Sequence, residues 1–180
     1  SLKSNKENMI FIYELIKILK IKHKNIFKVL KSFKGLNHRH EIFLKKKNIS
    51  FINDSKATSF EASRFALSSN KNIFWIVGGL PKLNDRFKLK GLSNNIIKTF
   101  VIGKNLKFFK KQLAGKVNFE ISKTLKKALV SIFKIIIKTP DKKVSILLSP
   151  ASASFDQFKS FEERGNIFKK LVRFYGKKYL

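Results

Sequence analysis

Cysteine is absent from this 180-residue chain, and proline, glycine and acidic residues are scarce. Without cysteine, a disulfide scaffold, a thiolate zinc site and a cysteine nucleophile are excluded. The 8 glycines and 3 prolines exclude collagen-like and Gly/Pro-rich low-complexity chains. No apolar run approaches the roughly 18 residues that a membrane span needs, and an uninterrupted segment such as 73–80 has only the length of a strand. We therefore expect an ordinary globular fold.

The abundant residues are apolar and basic. An apolar fraction of 43% with 19 phenylalanines excludes a disordered chain. Lys and Arg number 40 against 11 Asp and Glu, a net charge of +29, which would suit binding to nucleic acid or to an anionic membrane. However, the lysines are spread over every segment, and the phenylalanines lie in periodic apolar stretches, as core residues do. We predict no specific nucleic-acid partner and no membrane partner, only weak non-specific nucleic-acid binding at low salt.

Hydrophobic periodicity predicts an α/β fold preceded by two helices. Apolar residues three and four apart predict amphipathic helices over 6–20 and 24–33, and Gly35 ends this helical hairpin. Short apolar runs then alternate with helical patterns, which is typical of a Rossmann-like, mostly parallel sheet with helices on both faces. We place the boundary between the two parts at 1–36 and 37–180. The predicted strands are Ile49–Asn53, Ile73–Val77, 99–102, 117–121 and Val144–Leu148, and the predicted helices are 61–67, 106–113, one capped by Ser122 and one at the C-terminal end.

Three polar clusters directly follow predicted strands, at 53–58, 78–82 and 149–154. Ligands of such sheets bind beyond the carboxyl ends of the strands, so we expect all three clusters at one edge of the sheet. Together they suggest a site for an anionic substrate, although these residues do not identify the reaction.

Individual residues in these clusters have suitable chemistry. Asp54 can accept hydrogen bonds from sugar hydroxyls, and Lys56 and Thr58, two residues apart, can face one carboxylate or phosphate. Small residues around Ser154 let backbone N–H groups approach an anion at the start of the next helix. A simple helix cap explains Ser154 equally well.

Common nucleotide-binding and hydrolase motifs are missing from the chain. There is no Gly-x-Gly-x-x-Gly fingerprint, no Gly-x-x-x-x-Gly-Lys-Ser/Thr phosphate loop and no Gly-x-Ser-x-Gly elbow. His38, His40 and Glu41 are close in sequence and could hold a metal. We expect the two histidines to alternate along an extended stretch beside a polar turn, and we predict no metal site there.

Four segments, in order along the chain, resemble motifs of the Mur ligase family, specifically of its D-glutamate-adding members. Segment 35–41 is similar to Gly-Leu-Pro-His-Arg-x-Glu, with Asn37 in place of proline, and segment 51–59 carries Asn-Asp-Ser-Lys-Ala-Thr. Segment 78–82 matches Gly-Gly-x-x-Lys. Segment 147–168 looks like Leu-Leu-Ser-Pro-Ala-Cys-Ala-Ser-x-Asp-Gln-Phe-x-x-Phe-x-x-Arg-Gly-x-x-Phe, with Ser152 in place of the cysteine. Sibling ligases that add other amino acids differ at the second of these segments.

The resemblance implies a position in a three-domain enzyme. Segment 37–180 would be its C-terminal domain and segment 1–36 the helical tail of its central ATPase domain. The implied activity is ATP-dependent addition of D-glutamate to UDP-N-acetylmuramoyl-L-alanine through an acyl phosphate. It belongs to peptidoglycan synthesis, and hence to cell shape and cell division. The implied enzyme is a cytoplasmic monomer that uses ATP and Mg²⁺, with Mg²⁺ held mainly by the central domain.

The resemblance also implies a role for individual residues. Lys82 would hold one D-glutamate carboxylate, and Ser154 with the N–H of Phe161 would hold the other. The implied sites are Lys56 for catalysis; Thr58, Lys82, Ser154 and Phe161 for D-glutamate; and Arg39, Asp54 and Asn5 for ATP, with no metal ligand. Without a phosphate loop, the 180 residues alone are expected to be inactive. The alternative is a stand-alone basic Mur-like domain that binds anionic ligands or nucleic acid without ligase activity.

Overall fold

The computed structural model describes residues 6–33, 35–88 and 91–180, and the chain divides into two compact units, Ser1–Leu36 and Asn37–Leu180. The first unit contains helices α1 (Lys6–Ile18) and α2 (His23–Ser32). Helix α1 ends two residues earlier than predicted because Lys20 adopts a left-handed backbone, with φ of 50°. The N–H of Ile21 then donates to the carbonyl of Ile16 (3.1 Å), which closes the helix in the Schellman manner.

The second unit is built on a six-stranded sheet in the order β1-β2-β6-β3-β4-β5. Every neighbouring pair is parallel except β1 with β2. The strands are β1 (Glu41–Lys46), β2 (Ile49–Asn53), β3 (Ile73–Val77), β4 (Ile96–Ile102), β5 (Phe119–Lys123) and β6 (Val144–Leu148). The helices are α3 (Phe60–Ser68), α4 (Leu106–Leu113), α5 (Leu125–Ile136) and α6 (Phe161–Tyr179).

Two hydrophobic clusters lie on the two faces of the sheet. Along β3, Phe74 and Ile76 belong to one cluster, while Trp75 and its alternate neighbours belong to the other, as the two-residue period of a strand requires. Helices α5 and α6 contribute to the first cluster, and α3 and α4 to the second. The predicted α/β fold, with a mostly parallel sheet covered on both faces, is therefore confirmed.

Some predicted elements were missed or misplaced. Strand β1 was not predicted, because an antiparallel edge strand buries only part of its residues and carries lysines. Strand β5 begins two residues later than the predicted 117–121, since Thr99 of β4 pairs with Phe119. The predicted cap at Ser122 was wrong: the Thr124 side chain caps α5, and Ser122 lies inside β5.

Within the described residues, no helix is long and apolar enough to cross a bilayer.

Gly78 sits at the crowded carboxyl end of β3, where the polypeptide turns out of the sheet. Its φ is +130°, and a Cβ built there would lie 2.0 Å from the carbonyl oxygen of Ile102. Backbone cannot yield as a flexible side chain can, so only glycine fits this position.

Replacing Gly78 by Ala should therefore lower the free energy of unfolding by about 2 kcal/mol or more, through strain and the backbone clash. The matched control is Gly176→Ala in α6, where nothing lies within 4 Å of the added Cβ. That variant should be stabilised by up to about 1 kcal/mol because alanine favours helix. Urea unfolding measures both changes, and equal stabilities of the two variants would contradict the prediction.

Candidate functional site

The three polar segments meet at the carboxyl edge of the sheet, because β6 lies between β2 and β3 with all three parallel. The N–H of Asp54 donates to the carbonyl of Leu148 (2.7 Å), and the N–H of Gly78 donates to the carbonyl of Pro150 (2.9 Å). Leu80 and Ala153 exchange two backbone hydrogen bonds of 2.9 Å. The prediction that these segments share one edge is confirmed.

Asp54 is a buried carboxylate at the start of this edge, with 8% of its surface exposed. One carboxylate oxygen accepts from the backbone N–H of His40 (3.0 Å), and the other accepts from the Ser149 hydroxyl (2.6 Å). Burial raises the pKa of Asp54 to about 6, although these two donors and the charge of Arg39 oppose that rise. Asp54 thus joins the turn before β1 to the segment after β6.

The turn at 38–40 presents Arg39 to solvent between two anchored histidines. His38 and His40 have left-handed backbones, with φ of 62° and 45°, so the extended stretch predicted there was wrong. Asn53 Nδ2 lies 2.9 Å from Nδ1 of His38, and Asn70 Nδ2 lies 2.9 Å from Nε2 of His40. Arg39 is exposed. The two histidines therefore anchor the turn. Their contacts with Asn53 and Asn70 explain why the chain turns back here instead of continuing in an extended conformation.

Glu41 completes the anchoring of this turn. Its carboxylate accepts from the N–H of His38 (3.0 Å), from Asn53 Nδ2 (3.0 Å) and from Lys169 Nζ (2.8 Å) on α6. These donors lower the pKa of Glu41 despite its partial burial. Burial, followed by the Lys169 charge, lowers the pKa of His38. Among residues 6–33, 35–88 and 91–180, no three His, Asp or Glu side chains come together as a metal-binding group.

Lys56 and Thr58 follow Asp54 in the segment between β2 and α3, and both are half-buried. The Lys56 ammonium lies 3.9 Å from the centre of the Phe161 ring, a cation–π contact. The next residue, Ser59, caps α3 by accepting from the N–H of Ala62. The segment therefore brings a cation beside the first residue of α6.

Ser154 and the start of α6 form the neighbouring part of the edge. Ser154 is 2% exposed, and Ser160, not Ser154, caps α6 by accepting from the N–H of Glu163. The Ser55 hydroxyl donates to the carbonyl of Phe161 (2.8 Å), which fixes the helix start against the segment after β2. The N-terminal end of a 19-residue helix favours negative charge.

Lys82 is exposed, two residues after the Leu80–Ala153 bridge. No hydrogen bond joins the side chains of Arg39, Thr58, Lys82 or Ser154 to any residue in the described part of the chain. Asn5, the remaining predicted site residue, lies outside the described residues. Seven of the eight predicted site residues thus lie on the segments that border one edge, and the polar side-chain groups of four of them have no hydrogen-bond partner among the described residues.

Arg164 is a buried residue of this edge for which sequence reasoning named no role. Its Nε donates to the Ser55 hydroxyl (2.9 Å), and its Nη2 donates to the carbonyls of Ser55 (2.7 Å) and Ser152 (3.0 Å). Burial lowers the pKa of Arg164 to about 10. The spacing of apolar residues in the sequence could have predicted this burial. Positions 164, 168 and 172 share one face of α6, and the other two are buried Phe and Val.

Replacing Asp54 by Asn should change how stability depends on pH. The folded pKa of about 6 exceeds the ordinary value of 3.8, so the folded state binds this proton more tightly than the unfolded chain. The contribution of Asp54 is therefore greatest below about pH 4, and it declines by roughly 3 kcal/mol as the pH rises to about 6.

Unfolding free energies across this pH range measure the effect. The stability of the unsubstituted chain relative to Asp54→Asn should fall from about pH 4 to about pH 6 and then level off. The control is Asp141→Asn, at an exposed carboxylate, which should show no such change. A constant difference between the unsubstituted chain and Asp54→Asn throughout the range would refute the prediction.

Comparison with known proteins identifies relatives of this chain. No family model matches it. A UDP-N-acetylmuramoylalanine–D-glutamate ligase from Wolbachia sp. subsp. Brugia malayi is 42% identical over 168 residues, covering 93% of this chain and 34% of that protein. The ligase of the same name from Rhizobium meliloti is 43% identical over 148 residues, covering 82% of this chain and 32% of that protein.

A solved structure has the same fold. The MurF ligase from Thermotoga maritima, in complex with ADP, matches with a TM-score of 0.61 at 19% identity, over 89% of this chain and 36% of that chain. The chain thus spans about a third of the length of the curated relatives it matches. On the similarity to those relatives, with the fold in agreement, the chain belongs to the Mur ligase family and corresponds to a C-terminal portion of its members.

Proposed function

We propose that this chain is the C-terminal part of an ATP-dependent ligase that adds D-glutamate to UDP-N-acetylmuramoyl-L-alanine in peptidoglycan precursor synthesis. The observation that carries the proposal is the meeting of segments 53–58, 78–82 and 149–154 at one edge, where Lys82, Thr58 and Ser154 have no side-chain hydrogen-bond partner in the described part of the chain. The names of the curated relatives support the choice of D-glutamate. The enzyme would act as a cytoplasmic monomer, with segment 1–36 belonging to its central ATPase domain.

The amino-acid site in this proposal separates two carboxylates. Lys82 would pair with one of them, since an exposed ammonium without a partner in the described residues can form a charged hydrogen bond there. Ser154 and the N–H of Phe161 would hold the other, at the positive end of α6. Thr58 would add a hydroxyl from the segment after β2. This arrangement favours an amino acid with two acidic groups over one with a single carboxylate.

The nucleotide site in this proposal lies beside β1 and β2. Arg39 is exposed, so its guanidinium can meet a phosphate or ribose oxygen, and Asp54 can accept from ribose hydroxyls through lone pairs that His40 and Ser149 leave free. ATP would supply the phosphoryl group that activates the acceptor carboxylate. We assign no described residue to Mg²⁺, because no acidic cluster forms among them.

Lys56 is proposed as the catalytic residue because it lies between these two sites along the chain. Its ammonium is held over the Phe161 ring, beside the start of α6, where a developing negative charge would be stabilised. When the D-glutamate amine attacks the activated carboxylate, the tetrahedral intermediate carries an anionic oxygen. A fixed cation nearby lowers the energy of that species without having to reorient.

In the full-length enzyme, Lys82→Ala should raise the KM for D-glutamate by tens-fold or more. Removing one partner of a charged hydrogen-bonded pair costs roughly 2–5 kcal/mol when water is excluded from the pair in the complex, and about 1.4 kcal/mol corresponds to a factor of ten. The KM for ATP should change much less, because the nucleotide is assigned to Arg39 and Asp54. Steady-state kinetics with each substrate varied in turn measure this split.

The matched control is Lys88→Ala, at another exposed lysine of the same loop. It should alter only the overall positive charge. If Lys82→Ala left D-glutamate kinetics intact while Lys88→Ala changed them, Lys82 would belong to the solvated basic surface and the proposed amino-acid site would be wrong.

The 180 residues by themselves should release no phosphate from ATP. They contain no Gly-x-x-x-x-Gly-Lys-Ser/Thr loop to hold the transferring phosphoryl group. A phosphate-release assay with ATP, the UDP-linked acceptor and D-glutamate checks this expectation. Sustained release from the purified 180-residue chain would show that the ATP-cleaving site lies within it.

A further inference from the structure

Arg164 is the one fully buried charged side chain among the described residues that has no carboxylate bound to it. Its relative exposure is 0%, and its Nη1 has no hydrogen-bond partner in the described part of the chain. Burying a guanidinium without a hydrogen-bonded acid is costly, because its hydration is lost and the charge of Asp156 only partly offsets the effect of burial. A buried residue that is unfavourable for stability, at the edge proposed to bind ligand, suggests that Arg164 serves the site.

The three hydrogen bonds of Arg164 join two of the segments that carry the proposed ligand-binding residues. Ser55 lies directly before Lys56, and Ser152 lies two residues before Ser154. Arg164 itself lies in the first turn of α6, one helical turn from Phe161. One side chain therefore connects the segment after β2, the segment after β6 and the start of α6.

The third segment packs against the same guanidinium. A Cβ built on Gly79 would lie 3.2 Å from Arg164 Nη1 and 2.5 Å from the Ser152 hydroxyl oxygen. The turn that carries Lys82 thus approaches Arg164 with bare backbone, and the Leu80–Ala153 bridge holds it there. All three segments that carry the proposed ligand-binding residues are therefore packed around the Arg164 guanidinium.

The planar fork of arginine suits this role better than lysine does. Nε and Nη2 donate in two directions that are fixed relative to each other, so the spacing between Ser55 and Ser152 follows from the shape of the guanidinium. A lysine ammonium would keep the charge but would lose that fixed spacing. Binding groups carried on loops need such support, since displacements of about an ångström can change rates by roughly a hundredfold.

We propose that Arg164 is a positioning residue that sets the spacing between Lys56 and Thr58 on one segment and Ser154 on the other, and thereby the affinity for the incoming amino acid. This inference rests on the proposed function. Arg164 touches no substrate in this scheme, because it lies beneath the segments whose outer side chains would bind the ligand.

The hydrogen bonds of Arg164 to Ser55 and Ser152 form a brace between the two segments. The test uses the full-length enzyme and two substitutions that remove different parts of this brace. Arg164→Lys keeps the positive charge but removes the planar guanidinium. Ser55→Ala removes the hydroxyl that accepts the hydrogen bond from Arg164 Nε. Each should raise the KM for D-glutamate, by about tenfold or more for Arg164→Lys, while the KM for ATP stays within about twofold. The effect of the double variant should be smaller than the sum of the two single effects, because both changes remove the Arg164–Ser55 side-chain hydrogen bond, although Ser55→Ala also removes the bond to the Phe161 carbonyl.

Two controls separate positioning from general destabilisation. Val172→Ala opens a cavity on the buried face of the same helix, outside the loops, and should lower the melting temperature without changing the KM for D-glutamate. Arg173→Lys makes the same chemical change at an exposed arginine of α6 and should alter neither quantity.

The outcomes are distinguishable. Unchanged D-glutamate KM in Arg164→Lys and Ser55→Ala, or an equal rise in Val172→Ala, would overturn the positioning role. If Arg164→Lys does not fold, Ser55→Ala alone decides the question by the same criterion. If the unsubstituted full-length enzyme does not consume D-glutamate at all, the proposed function itself fails, whatever the variants do.

Discussion

The parallel alignment of β6 between β2 and β3 is the constraint on which the site depends. Three strands that are distant in sequence end at one level, so the polypeptide must leave the sheet three times within a small region. Backbone hydrogen bonds from Asp54 to Leu148 and from Gly78 to Pro150 join the segments that leave these strands. The chemistry of the edge follows from that geometry, since no two of these segments are neighbours along the chain.

Most of the buried polar side chains of the described residues lie at or beside this edge. A carboxylate, Asp54, and a guanidinium, Arg164, are both buried there, yet neither is the other's partner. Each is satisfied mainly by hydroxyls and backbone groups of different segments. Such networks give less stability than an apolar core of the same volume would, but they specify one arrangement of the loops. The edge therefore has the character of a preorganised site.

The motif segments combine anchoring residues with presented ones. In segment 35–41, His38 and Glu41 bind to β2 and α6, while Arg39 between them is exposed. In segment 147–168, Asp156 accepts from the N–H of Lys104 (2.8 Å), which ties the loop after β4 to the same edge. Residues of a motif are thus not all ligands, because several of them hold the loop that presents the ligand-binding ones.

Local sequence determined the elements and the chemistry of this protein. Short, nearly continuous apolar runs such as Ile73–Val77 and Val144–Leu148 specify strands that are buried on both faces, because apolar residues occupy both sides of the strand. The residues that follow them supply the acids, cations and hydroxyls. The strand order, the left-handed turn at His38 and His40, the antiparallel strand β1 and the brace at Arg164 were decided only by tertiary structure. Each of these depends on contacts between residues far apart in the chain, such as Arg164 with Ser55, and the energy of such a contact is not encoded in any local pattern.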